Sequence, residues 1–238
     1  AVNDAPTASD VSSVTNEDES VVIGLIGNDI DSSQLSYTAN DSENGGTVNI
    51  DGSLATYTPP LDFSGTDTFV YTVSDGDLFA IATVTLTVAA VNDAPTLAAV
   101  SGVSFDEDGS GSTTLAGSDI DSADLTYSIS GGTDITATVD GSTVSFTASS
   151  NFNGSENFTA TVTDGEFSAS QAFSVTVAPV NDAPTANAAS GTVAEDGSVV
   201  ITLTGNDIDG DIITFSVADS AVNGSVSIGG SLAIYTPS

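Results

Sequence analysis

The only side chains of this sequence that carry charge at neutral pH are carboxylates: 33 Asp and Glu, with no Lys, Arg or His. Carboxylates offer two chemistries. A pair flanking a cleft can act as acid and base in glycoside cleavage, provided burial raises one pKa. A cluster without neighbouring cations can hold a hard divalent ion, which takes six to eight oxygens from carboxylates, carbonyls and water. Spacing favours the second. Asp29 and Asp31 flank one residue, as do Asp119 and Asp121, and Asp207 and Asp209. Alternate residues of an irregular loop can turn toward a common ion. Asp75-Gly76 and Asp164-Gly165 end strand-like runs, and Glu17 and Glu107 each precede an Asp just ahead of an expected strand. Taken singly, such residues are also ordinary turn formers that bond to nearby backbone amides. The same set recurs in each copy of a repeat, as scaffold residues do, so no catalytic pair is expected and the chain does not read as an enzyme.

The elements that position these acids follow from the repeat. Val2-Asn3-Asp4-Ala5-Pro6-Thr7 returns at Val91–Thr96 and at Val180–Thr185, 89 residues apart each time. The expected modules are 1–90, 91–179 and 180–238, the third incomplete. Strands are expected in the first near 9–15, 20–25, 34–39, 46–50, 54–58, 67–74 and 79–88. Seven short strands per unit indicate an all-β, seven-strand sandwich. Val21, Ile23 and Leu25 alternate with Val22 and Gly24, and Phe69, Tyr71 and Val73 share one face, as half-buried strands require. Ile213-Thr214-Phe215 answers Leu35-Ser36-Tyr37 as a strand of the third copy. Asp51-Gly52, Asp140-Gly141 and Gly229-Gly230 are expected hairpin turns with positive φ. Phe63 and Phe152 are expected as packing aromatics. The Asn-Asp-Ala-Pro link is short and stiff, because Pro restricts itself and its predecessor; a semi-rigid array is expected.

Composition excludes several functions. Without Cys there are no disulfides or thiolate sites, and without Lys there are no isopeptide crosslinks. Without Lys or Arg there is no counterion-release route to nucleic acid, and a net charge of -33 repels DNA and anionic lipid. No apolar run is long enough for direct membrane insertion. The absence of an initial Met suits an internal segment or processed product.

The order Glu, Asp-x-Asp with Leu-Ser-Tyr, Val-Ser-Asp-Gly and Val-Asn-Asp-Ala-Pro resembles the cadherin repeat. It more closely resembles the cadherin-like tandem repeats of giant bacterial surface proteins, including adhesins of the repeats-in-toxin export class. That resemblance implies a Greek-key, cadherin- or immunoglobulin-like sandwich with Ca2+ at the junctions between neighbouring repeats of the chain. Carried over, the first junction would take Glu17, Asn92, Asp93, Asp119, Asp121 and Asp164. The second would take Glu107, Asn181, Asp182, Asp207 and Asp209, and the first module carries Asn3, Asp4, Asp29, Asp31 and Asp75 at matching places. Asp62 stands where the family has a pair of acids, with its partner acid replaced by Ser64, so fewer ions per junction are expected than in cadherins.

The implied function is a calcium-rigidified extracellular spacer in a secreted or surface-bound adhesin, whose other domains meet a cell-surface or glycan target. The alternatives are modules that themselves bind a glycan or protein, a stalk of a secreted enzyme, and a structural subunit of a matrix or filament. An exposed aromatic cluster specific to one unit would favour direct binding; none is evident in the sequence.

Overall fold

The computed structural model describes residues 2–238. All its regular elements among these are strands. The first repeat contains β1 (Thr7–Ser9), β2 (Val11–Asn16), β3 (Val21–Gly24), β4 (Ile26–Asn28), β5 (Ser36–Ala39), β6 (Thr47–Asp51), β7 (Leu54–Thr58), β8 (Gly65–Ser74) and β9 (Phe79–Ala89). A four-stranded sheet, β2-β9-β8-β5, faces a three-stranded sheet, β3-β7-β6, giving the expected seven-strand sandwich. The short pair β1–β4 is additional, because the chain breaks at buried Leu25 and Tyr71 pins both flanks. The Tyr71 hydroxyl lies 2.6 Å from the Ser9 carbonyl and 2.9 Å from that of Ile26.

Alternation sets which side chains fill the space between the sheets. Ile23, Leu25, Tyr57, Phe69, Tyr71, Val73, Val84, Leu86 and Val88 are buried there, while Val22 faces solvent. Gly52, Gly141 and Gly230 all take positive φ in the hairpin turns. Phe63 packs against the core, and its ring lies over Gly65, whose φ of 128° suits glycine alone.

The second repeat contains β10 (Thr96–Leu97), β11 (Val103–Asp106), β12 (Ser110–Thr114), β13 (Gly117–Ser118), β14 (Thr126–Gly131), β15 (Ile135–Asp140), β16 (Thr143–Ala148), β17 (Gly154–Thr163) and β18 (Ser168–Ala178). Its sheets, β11-β18-β17-β14 and β12-β16-β15, repeat the same order. Phe146, Phe158 and Phe173 form its aromatic centre, with Phe146 edge-on to Phe158 at 5.3 Å.

The third repeat is incomplete. It contains β19 (Thr185–Ala186), β20 (Val199–Thr202), β21 (Gly205–Asn206), β22 (Gly224–Gly229) and β23 (Leu232–Pro237), with one three-stranded sheet, β20-β23-β22. The expected strand at Ile213–Phe215 does not form. In the first repeat its counterpart, β5, is held by ladder bonds to β8, and no counterpart of β8 exists within the 238 residues.

The chain divides into two compact units. The first is Ala1–Pro95 with Ser118–Leu125 and Asp164–Ser168; the second is Thr96–Gly117, Thr126–Thr163 and Ala169–Ser238. Each of the two acid clusters described next lies wholly inside one unit.

Candidate metal centres at the repeat joints

In the first unit, β2 ends at Asn16 and the chain turns sharply through Glu17-Asp18. The Glu17 amide donates to the Ala89 carbonyl at the end of β9, and its carboxylate Oε1 accepts from the Val91 amide. Glu17 is only 5% exposed, in a chain without any cationic side chain to compensate it. Asp18 follows at φ 58°, and its Oδ1 accepts from the Asp62 amide at 3.1 Å. Asp62 is itself at φ 55°. Carboxylate oxygens of Asp18, Asp62 and Asp93 lie within 4.8 Å of one another.

The linker completes this cluster. The Asp93 amide donates to Asp121 Oδ2 at 2.8 Å. Asn92 Nδ2 donates to Asp164 Oδ2 at 2.8 Å and to the Asp93 carbonyl at 3.2 Å. Asp119 Oδ1 accepts from the amides of Asp121 and Ser122, and Asp164 Oδ1 from those of Glu166 and Phe167. One oxygen of each of these two aspartates therefore builds its turn. The buried Oδ2 atoms of Asp119 and Asp93 have no hydrogen-bond partner. Desolvation, followed by the charges of Asp62, Asp121, Asp18 and Glu17, pushes the Asp93 carboxyl above the usual carboxylate range. Asp164 is held below it by the Asn92 amide and by the Glu166 and Phe167 amides.

The second unit repeats the arrangement. Glu107, 6% exposed, has its amide bonded to the Ala178 carbonyl and its Oε1 to the Val180 amide. Asp108 takes φ 59° and accepts from the Asn151 amide at 3.3 Å. The Asp182 amide donates to Asp209 Oδ2 at 2.6 Å, and Asp207 Oδ1 accepts from the amides of Asp209 and Asp211. Oxygens of Glu107, Asp182 and Asp209 lie within 4.8 Å of one another, and Asp182 Oδ2 is buried without a partner. Desolvation, then Asp209, Asp108, Glu107 and Asp207, raises the Asp182 pKa. Asn181 Nδ2 bonds to the Asp182 carbonyl. Asn151 stands where the first unit has Asp62, so this cluster has one acid fewer at that place.

The amino-terminal end of the first repeat holds the matching half-set. Asn3 Nδ2 donates to Asp75 Oδ2 at 2.8 Å, and the Asp4 amide to Asp31 Oδ2 at 2.9 Å. Asp29 Oδ1 accepts from the Asp31 and Ser32 amides, leaving its Oδ2 buried and unpartnered. The Leu78 and Asp77 amides and the Asn3 side chain lower the Asp75 pKa.

Of the expected acids, Asp62 and Asp93 (with Asp18) form one group, and Glu107, Asp182 and Asp209 another, each with carboxylate oxygens within 4.8 Å of one another. Asp121, Asp164, Asp31 and Asp75 are tied to the linker residues by single hydrogen bonds. Asn3, Asn92 and Asn181 each present the side-chain amide nitrogen to a neighbouring oxygen. Asp18 and Asp108 are not among the expected ligands, yet their carboxylates bond to the Asp62 and Asn151 amides beside the clusters. Their signal was the unbroken Glu-Asp pair, repeated at Glu195-Asp196, whose Asp also takes positive φ, at 58°.

A family model described as bacterial Ig domain matches residues 3–87, 92–177 and 181–238. Among solved structures, the protocadherin gammaB7 EC3-6 cis-dimer matches at 14% identity and TM-score 0.52, over 95% of this chain and 63% of that one. Human protocadherin-24 EC1-2 matches at 14% identity and TM-score 0.45, over 75% of this chain and 100% of that one. An endo-fucoidan hydrolase from glycoside hydrolase family 107 matches at 18% identity and TM-score 0.34, over 74% of this chain. The chain spans 29% of that hydrolase. No curated protein matches the sequence. The immunoglobulin-type sandwich is typical of structural and adhesion domains. No helix among the described residues is long and apolar enough to cross a membrane.

Proposed function

This chain belongs to the bacterial Ig domain family, and we propose that its domains are calcium-stiffened spacer modules of a large extracellular adhesin or surface fibre. Modules 1–90, 91–179 and 180–238 would hold a target-binding domain elsewhere in the parent protein away from its anchor. One observation carries the reading. The linker aspartates Asp93 and Asp182 each bury an unpartnered carboxylate oxygen among other carboxylates, in a chain with no cationic side chain. Buried charges are ordinarily paired or bound to metal.

The donor set fits calcium: it is all oxygen, mostly carboxylate, and irregular in geometry. Glu17, Asp18, Asp62, Asp93, Asp119, Asp121 and Asp164 would hold the ion or ions of the first joint. Glu107, Asp108, Asp182, Asp207 and Asp209 would serve the second. Asn92 and Asn181 orient neighbouring oxygens. Asp29, Asp31, Asp75, Asn3 and Asp4 form half of a further joint that a preceding repeat would complete. A bound divalent ion supplies positive charge that ties linker and loops together; the chain supplies the preformed turns that hold their oxygens apart.

Thermal unfolding of the 238-residue chain with calcium, with magnesium and with chelator tests the proposal. Calcium at millimolar concentration should raise the midpoint, because an ion that binds only the folded joints stabilises them by linkage. Small-angle scattering should give a longer, narrower particle with calcium than with chelator. An unchanged midpoint together with an unchanged scattering profile would return these acids to the role of solvated turns.

A further inference from the structure

The outward face of the four-stranded sheet differs in chemistry between the two complete repeats. In the first, Phe79 is 67% exposed, Ile81 62%, Val70 48% and Leu78 40%. Phe79 and Ile81 are alternate residues of β9, opposite Ser74 and Thr72, and Val70 on β8 is opposite Thr83, one pleat from Ile81. Their side chains therefore form one strip across the β8–β9 hairpin. The positions matching Val70, Phe79 and Ile81 in the second repeat are Thr159, Ser168 and Ser170, while Leu78 is matched by Phe167, 44% exposed and still apolar. There Ser170 Oγ lies 2.9 Å from the hydroxyl of its cross-strand neighbour Thr161. The same fold thus forms with hydroxyl residues at three of these four places, so packing does not require Val70, Phe79 and Ile81 to be apolar.

Charge indicates the occupant. Exposed Asp77 precedes the strip in the hairpin, and exposed Asp10 lies at its other end, accepting from the Thr83 amide at 2.9 Å. A second copy is disfavoured, since each copy carries -33 and a stable interface buries about 800 Å² per partner. We propose that this strip docks a short apolar segment of another protein, flanked by Lys or Arg that meet Asp10 and Asp77. Neither Asp10 nor Asp77 is among the carboxylates proposed to hold calcium. Because the chain has no cation of its own, every basic group in the contact must come from the partner.

The test is calorimetric titration of the 238-residue chain with a synthetic peptide in which Lys alternates with Leu and Phe, in chelator and about 0.5 M salt, where non-specific attraction is screened. The triple variant Val70→Thr, Phe79→Ser and Ile81→Ser borrows the second repeat's residues and keeps the net charge. It should bind at least about tenfold more weakly. The reverse graft, Val100→Asp with Thr159→Val, Ser168→Phe and Ser170→Ile, places an acid at the Asp10 position beside the native Glu166. It should raise the stoichiometry from one peptide to two, which holds even where the first variant is poorly folded. Equal affinity of wild type and variant with no added site in the graft overturns the proposal. So does a wild-type dimer in sedimentation that the triple variant makes monomeric, because the occupant would then be a second copy. Uptake of a neutral oligosaccharide but not the peptide, lost in the same variant, also overturns it.

Discussion

At the residue scale the informative side chain is Asp93. Its folded pKa is raised, so its contribution to stability is present below the unfolded value and is lost as pH rises through the folded one. Ionised at neutral pH without a counter-ion, it works against the fold. Asp93→Asn should therefore raise the unfolding midpoint in chelator, by a shift on the order of a few degrees, and lower it in calcium. Differential scanning calorimetry under both conditions reads the change of sign; a loss of similar size in both would mean that Asp93 is only a structural hydrogen-bonding residue. Wild-type protein in chelator should also pass through a stability maximum on acidification. Protonation relieves Asp93 and Asp182 first, above the usual carboxylate range. Asp75, Asp164 and Glu156, with lowered pKa values, lose their contribution as pH falls through still lower ones.

At the scale of elements, each complete repeat uses one acid to close the loop between β5 and β6 or between β14 and β15. In the first, Asp67 is 1% exposed. Burial works to raise its pKa, but the Ser42 and Tyr57 hydroxyls and the amides of Asn44 and Thr68 outweigh this and lower it. Burial and the Asp67 carboxylate in turn push the Tyr57 hydroxyl far up. In the second, Glu156 accepts from the amides of Thr133, Asp134 and Ile135, and Phe146 replaces Tyr57. Tyr57→Phe leaves a buried carboxylate oxygen without its 2.7 Å donor. It should cost about 1–3 kcal/mol in urea unfolding, although phenylalanine is native to the neighbouring repeat.

The strands were legible because Phe69, Tyr71 and Val73 alternate on a period of two. The β1–β4 pair was not, since three-residue pairings depend on the distant Tyr71 hydroxyl and leave no local pattern. The joint acids were legible through their recurrence. Asp18 was not, because a positive φ at an Asp is invisible until the chain is folded. The exposed strip was hidden as well: Phe79 and Ile81 sit in an apolar run, Phe79-Ala80-Ile81-Ala82, where only the pairing register reveals which alternate residues face outward.

At the scale of the whole molecule, a single sign of charge sets the response to ions. Self-repulsion among 33 carboxylates is screened by salt, so sodium chloride should raise the melting midpoint in chelator. The rise should shrink once calcium is bound, as calorimetry across about 0.05–1 M salt would read. If salt acts equally with and without calcium, its effect lies at the faces and not at the joints.

The strand pairing has a mechanical consequence. The entry strand of the first repeat runs parallel to its exit strand, Val11 to Asn16 against Val84 to Ala89, six pairs in all. Glu17 carries the fastening past the strand ends into the linker. A pull applied through the two ends of such a module loads those rungs side by side in shear, so they must give way together and not one by one. The second repeat has four such pairs, Val103 to Asp106 against Val175 to Ala178. Stretched by single-molecule force spectroscopy, the chain should yield at two force levels, with the second repeat giving way first.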